Sequence, residues 1–121
     1  YLARHRDGLS RSTQHAHWIE SVDQHADRPG ETLATRNPEV IRRWAEERCG
    51  RPATSPKGNT ARPRVLRIDF PDYDRSLREL SWDAWFKVFQ ARDLVFLYQE
   101  RMSKGHPSNF FRLDNPRREH A

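Results

Sequence analysis

Residues 51–67 carry Arg51, Lys57, Arg62, Arg64 and Arg67 without one acidic residue among them. A guanidinium group presents several N–H donors in a planar fork that matches phosphate oxygens, and it stays charged at every physiological pH. Several such groups on a flexible loop neutralise phosphates and release counterions, so the expected ligand is nucleic acid, with salt-dependent affinity and little base preference. A second basic run covers 101–118, where Arg101, Lys104, Arg112, Arg117 and Arg118 stand against Asp114 alone. Arginine outnumbers lysine 19 to 3, which suits bidentate phosphate contact. A GC-rich coding sequence raises arginine everywhere, however, and solvated charge also keeps a small domain soluble. The residues expected to carry phosphate affinity are Arg51, Lys57, Arg62, Arg64, Arg117 and Arg118.

Other chemistries are weaker. Asp69, Asp72 and Asp74 cluster at a strand end, and Asp72, Asp74, Ser76 and Asp83 fall at positions one, three, five and twelve of a calcium loop. Leu77 occupies the place where that loop's sharp turn requires glycine, and its last ligand should be glutamate, so a solvated turn is expected instead. His15 and His17, with Asp23 and His25, make a His-rich stretch, but a structural metal site needs four converging ligands on a folded frame, and no metal is expected. His106 and His120 are isolated. Cys49 falls at a helix C-terminus, where the negative end of the dipole raises a thiol pKa, so a partly buried, unreactive thiol is expected there. Trp82, Trp85, Tyr98, Phe110 and Phe111 can stack on bases, yet so small a domain needs most of them in its core. Adjacent Phe110 and Phe111 point to opposite faces of a strand, which makes them the candidate partner-binding pair. No nucleophile–base or acid–base pair can be named. The expectation is therefore a protein that is not an enzyme and needs no cofactor.

Length and composition set bounds on these readings. A chain of 121 residues has room for one small domain and not for a deep cleft between two lobes. The net charge is +5, the pI about 10, and the hydrophobic fraction only 35%. The apolar residues are uneven: two of four Trp, all six Phe and two of three Tyr lie between Arg64 and Leu113. Cys49 is the sole cysteine, so no internal disulfide forms and a reducing, cytoplasmic setting is expected. The longest apolar run is Leu94–Tyr98, far short of the roughly 20 residues of a membrane span.

The elements that must position these groups follow from capping and periodicity. Asn37 is an N-cap, Pro38 sits at the first helical position, and Val40, Ile41, Trp44 and Ala45 form an apolar stripe. Gly50 is expected to supply the left-handed stop and Pro52 to prevent continuation. Residues 51–63 read as a loop. Arg64–Phe70 alternates, with Leu66, Ile68 and Phe70 on one face, as in a half-buried strand. Ser81 caps a second helix, with Leu80 packing as a staple and Trp85, Phe86 and Phe89 inward. Leu94–Gln99 is a continuous apolar run suited to a central strand, and Phe110–Leu113 is a third. Residues 1–36, with four of the six His and few apolar positions, read as an extended or partly ordered arm. The expected architecture is α+β: an arm (1–36), a compact domain (37–115) and a basic tail (116–121). Within the domain the order is α-β-α-β-β, a three-stranded antiparallel or mixed sheet with helices on one face.

Five separated segments carry a resemblance: Ile41–Arg48 (IRRWAEER), Leu66–Pro71 (LRIDFP), Ser81–Phe86 (SWDAWF), Leu97–Gln99 (LYQ) and Ser108–Phe110 (SNF). Over residues 37–113 the chain resembles a family of small bacterial proteins of uncharacterised function. Some members of that family carry the label of 1,4-alpha-glucan branching enzyme. Glucan branching runs on a (β/α)8 barrel of about 250 residues, which this chain cannot contain. The resemblance implies a small α+β domain and brings no catalytic residues. Cys49 stands where the pattern would have glycine, the 55–63 loop differs, and residues 1–36 are additional. The leading expectation is a nucleic-acid-binding module; the alternative is a protein–protein adaptor domain.

Overall fold

The structure, a computed structural model, describes residues 1–71 and 76–116. Its fold is α+β, and it falls into two compact units. The first comprises the chain up to Ile41 and from Arg92 onward, and the second comprises Arg42–Ala91. The expected division at residue 37 is thus not the one the chain makes.

The first unit is built on four strands: β1 (His17–Trp18), β2 (Leu33–Thr35), β6 (Val95–Tyr98) and β7 (Phe111–Asp114). They form one sheet in the order β1-β2-β6-β7. β1 lies parallel to β2, and the other neighbours are antiparallel. Every residue of β2 and β6 is buried, as the continuous apolar run of β6 requires of a strand covered on both faces. Leu9, Ala34, Val95 and Leu97 make one cluster, with Tyr1, Leu2, Ala16 and Trp18 packed against it.

Residues 1–36 are therefore not an arm. They supply helices α1 (Leu2–His5) and α2 (Arg11–His15), two strands of the sheet, and fully buried Ile19, Leu33 and Ala34. The pinning is polar as well as apolar. Ser10 caps α2, its Oγ accepting from the Thr13 amide (3.3 Å). Buried Asp114 on β7 accepts from the Ser10 amide (2.9 Å) and the Thr13 hydroxyl (2.6 Å) across about a hundred residues of chain. That partner, invisible in a local reading, is what converts a polar stretch into structure.

Helix α3 (Pro38–Glu47) forms where its caps place it. Asn37 Oδ1 accepts from the amides of Glu39 (2.9 Å) and Val40 (3.4 Å), and Val40, Ile41, Trp44 and Ala45 are buried. Its end differs from the expectation. Cys49, not Gly50, takes the left-handed conformation (φ 59°), and the Gly50 amide returns to the Ala45 carbonyl at 2.8 Å. Glycine is needed at position 50 for close packing instead, since a Cβ there would lie 2.7 Å from Ile68 Cγ2 and 3.0 Å from Phe70 Cε1. The Cys49 side chain is exposed rather than partly buried.

The second unit holds three strands, β3 (Arg51–Thr54), β4 (Arg67–Asp69) and β5 (Arg78–Glu79), in an antiparallel sheet of order β4-β3-β5. Two sheets therefore replace the single three-stranded sheet expected, and residues 51–54, expected in a loop, form the central strand. Pro52 is tolerated there because its carbonyl accepts from the Leu80 amide (2.9 Å) just past β5. Its ring nitrogen then faces the end of the ladder, where no paired donor is needed. Leu66, Ile68 and Phe70 are buried as the alternation requires. Helix α4 (Trp82–Ala91) starts at Ser81, whose Oγ accepts from the Ala84 amide (3.1 Å). Trp85 and Phe89 are fully buried and stacked at 5.5 Å, and Trp85 Nε1 donates to the Arg67 carbonyl (3.0 Å), fastening α4 to β4. Among the described residues no helix is long and apolar enough to cross a membrane.

Candidate nucleic-acid interface

The basic run 51–67 forms one hairpin, β3 and β4 with the connection 55–66 between them. The register pairs Arg51 with Asp69 and Ala53 with Arg67, so Arg51 and Arg67 stand on one face of the sheet while Pro52 and Ile68 are buried on the other. Buried Ile68 and Thr54, whose hydroxyl donates to the Val65 carbonyl (2.7 Å), hold the hairpin rigid at its base. Further out, the Gly58 amide closes a turn on the Ser55 carbonyl (2.9 Å). Asn59 Oδ1 accepts from the amides of Ala61 (2.8 Å) and Arg62 (3.3 Å), an Asx turn that fixes the backbone from which Arg62 projects. Lys57, Arg62, Arg64 and Arg67 are all exposed.

The cations are not equivalent. Arg51 is ion-paired to Glu79 at 3.2 Å, an exposed pair whose carboxylate competes with any phosphate. Arg78, outside both basic runs of the sequence, joins the hairpin: its Nε donates to the Pro56 carbonyl at 2.8 Å. The signal for it was the pairing of β5 with β3, which no local pattern reveals. Arg117 and Arg118, expected to share the phosphate contacts, lie outside the described residues.

Phe110 and Phe111 separate because β7 begins at Phe111, one residue later than expected, which leaves Phe110 in the β6–β7 connection. Phe111 stacks on Phe96 (5.6 Å between centroids, 15° between planes), whereas Phe110 is 47% exposed, like Met102 at 52% in the same β6–β7 connection. Trp85 and Tyr98 are buried and serve the core, and half-buried Trp82 packs edge to face on Trp85 within α4. Asp69 faces Arg51 across the ladder, and Asp72 and Asp74 fall outside the described residues. The histidines of the first unit are dispersed to different partners: His25 Nδ1 lies 2.7 Å from Glu100, and His17 Nδ1 lies 3.1 Å from Glu31. No family model, curated protein or solved structure matches the chain.

Proposed function

We propose that this protein is a nucleic-acid-binding module, without catalytic activity, whose β3–β4 hairpin grips phosphates with little base preference. The observation that supports this reading is the exposure of Lys57, Arg62, Arg64 and Arg67 on one hairpin whose base is fixed by buried Ile68 and Thr54. A fixed frame lowers the ordering cost that a flexible basic loop meets on binding. Such a module acts in the cytoplasm, where its lone thiol stays reduced.

About four phosphate contacts give a log–log salt slope near −3.6 on duplex DNA, so a fourfold rise in salt weakens binding roughly 150-fold. Fluorescence anisotropy against labelled single- and double-stranded DNA and RNA at about 50 and 200 mM salt reads this directly. Arg62→Glu/Arg64→Glu should flatten the slope by nearly two contacts and abolish binding at the higher salt. Absence of binding to all four probes at low salt overturns the proposal. The second reading, a protein adaptor, draws on the exposed pair Met102 and Phe110. It predicts an association that tolerates salt and the double reversal but is lost in Phe110→Ala.

A further inference from the structure

In the first unit, three side chains that the nucleic-acid reading leaves idle converge on one point. The His17 imidazole, the Asp27 carboxylate and the Glu31 carboxylate each place one donor atom within 4.8 Å of the other two. His17 Nδ1 is 3.1 Å from Glu31 Oε1 and 4.0 Å from Asp27 Oδ2. Donors about 2.0–2.2 Å from a tetrahedral zinc-class ion lie about 3.4 Å apart, so the two His17 separations differ from that spacing by about 0.3 and about 0.6 Å.

The frame around them is built before any ion arrives. His17 is held in β1, its amide donating to the Thr32 carbonyl (3.1 Å). The turn carrying both carboxylates is tied at each end. The Asp27 amide donates to Glu31 Oε1 (2.9 Å), the Gly30 amide to the Arg101 carbonyl (2.8 Å), and Gln99 Nε2 to the Gly30 carbonyl (3.3 Å). Gly30 sits at φ 81°, with Ser103 Cα 3.2 Å from where a Cβ would stand, so the turn needs glycine at that point. Glu31 is the inner ligand, its side chain 13% exposed, with His17 at 32% and Asp27 at 80%.

His17 and Glu31 also line a cavity of about 520 Å³, together with Ser12, His15, Arg28 and Ser103. Three protein ligands and an open position on a cavity are the pattern of a site that binds an exchangeable fourth ligand.

We infer that His17, Asp27 and Glu31 form a binding site for a first-row divalent cation of the zinc class, its fourth position open to the cavity. The ion takes the place between His17 Nδ1 and Glu31 Oε1, any proton there leaves to solvent, and His17 binds as the neutral imidazole with its proton on Nε2. Two carboxylates balance the ion's charge. Arg28 on the cavity wall opposes the cation and favours an anion or hydroxide in the open position.

Tag-free, chelator-stripped protein titrated with Zn²⁺ by calorimetry, and with Co²⁺ by visible absorption, tests the site. The expected result is one equivalent of metal and a Co²⁺ spectrum of four-coordinate intensity. His17→Gln and Glu31→Gln should each weaken binding tenfold or more. Asp27→Asn, an isosteric change in a side chain 80% exposed, should also weaken it, with an unchanged circular dichroism spectrum and thermal melt setting misfolding aside. Absence of saturable binding at millimolar metal overturns the inference. So does binding that all three variants retain at the parent affinity.

Discussion

Replacing Asp114 with alanine should remove the anchor that holds the N-terminal segment to the sheet. The carboxylate is 3% exposed, and its Oδ2 receives both the Ser10 amide at 2.9 Å and the Thr13 hydroxyl at 2.6 Å. A hydrogen bond to a charged group contributes about 1.5–3 kcal/mol, which bounds the pair at roughly 3–6 kcal/mol. The lower end is expected, because neighbouring bonds do not add and the Thr13 hydroxyl keeps Ser10 Oγ at 3.0 Å. Asp114→Ala should therefore cost about 3 kcal/mol, a large share of a typical total of about 5–15 kcal/mol. Asp114→Asn retains an acceptor without its charge and should cost about half as much. Urea denaturation followed by tryptophan fluorescence measures the loss, and hydrogen exchange locates it at the amides of residues 10–16. In a double-mutant cycle with Thr13→Val the coupling should reach about 1 kcal/mol. A loss below about 0.5 kcal/mol for Asp114→Ala, or zero coupling to Thr13, would refute the claim that this carboxylate orders the segment.

Adjacent positions at the end of α3 should respond with opposite signs. Cys49→Gly relieves a left-handed conformation costing about 1–2 kcal/mol but adds backbone freedom to the unfolded chain, leaving about 0.5–1 kcal/mol of stabilisation. Gly50→Ala drives a methyl against Ile68 and Phe70 and should cost about 1–3 kcal/mol; thermal melts of both variants check the pair. Glu31 supplies a pH dependence in the metal-free protein. Its folded pKa is held below the ordinary 4.5, chiefly by the Asp27 amide and then by His17, so its contribution is complete above that value. The contribution is lost as pH falls through the lowered pKa. Glu31→Gln should accordingly be less stable than the parent at pH 7, and the gap should close in strongly acidic urea melts.

The sequence by itself determined the elements whose causes are local. Asn37 and Ser81 cap α3 and α4 because a cap needs only a side-chain oxygen and the next few amides. Alternation placed Leu66, Ile68 and Phe70 inward, and the apolar run of β6 marked a strand buried on both faces. The exposure of Lys57, Arg62 and Arg64 was legible for the same reason, since nothing in their neighbourhood offers burial. Tertiary structure decided what depends on distant partners. Residues 1–36 look too polar to fold, yet Asp114 satisfies their polar groups and Val95 and Leu97 cover Leu9 and Ala34. Pro52 reads as the stop after α3 inside a loop, and only the Leu80 amide on its carbonyl reveals it as part of a central strand. Arg78 joins the basic hairpin, and Glu31 meets His17, only because strand pairing joins segments that lie far apart in the chain. Local composition records what a residue prefers, while its role is fixed by the groups that long-range register sets beside it.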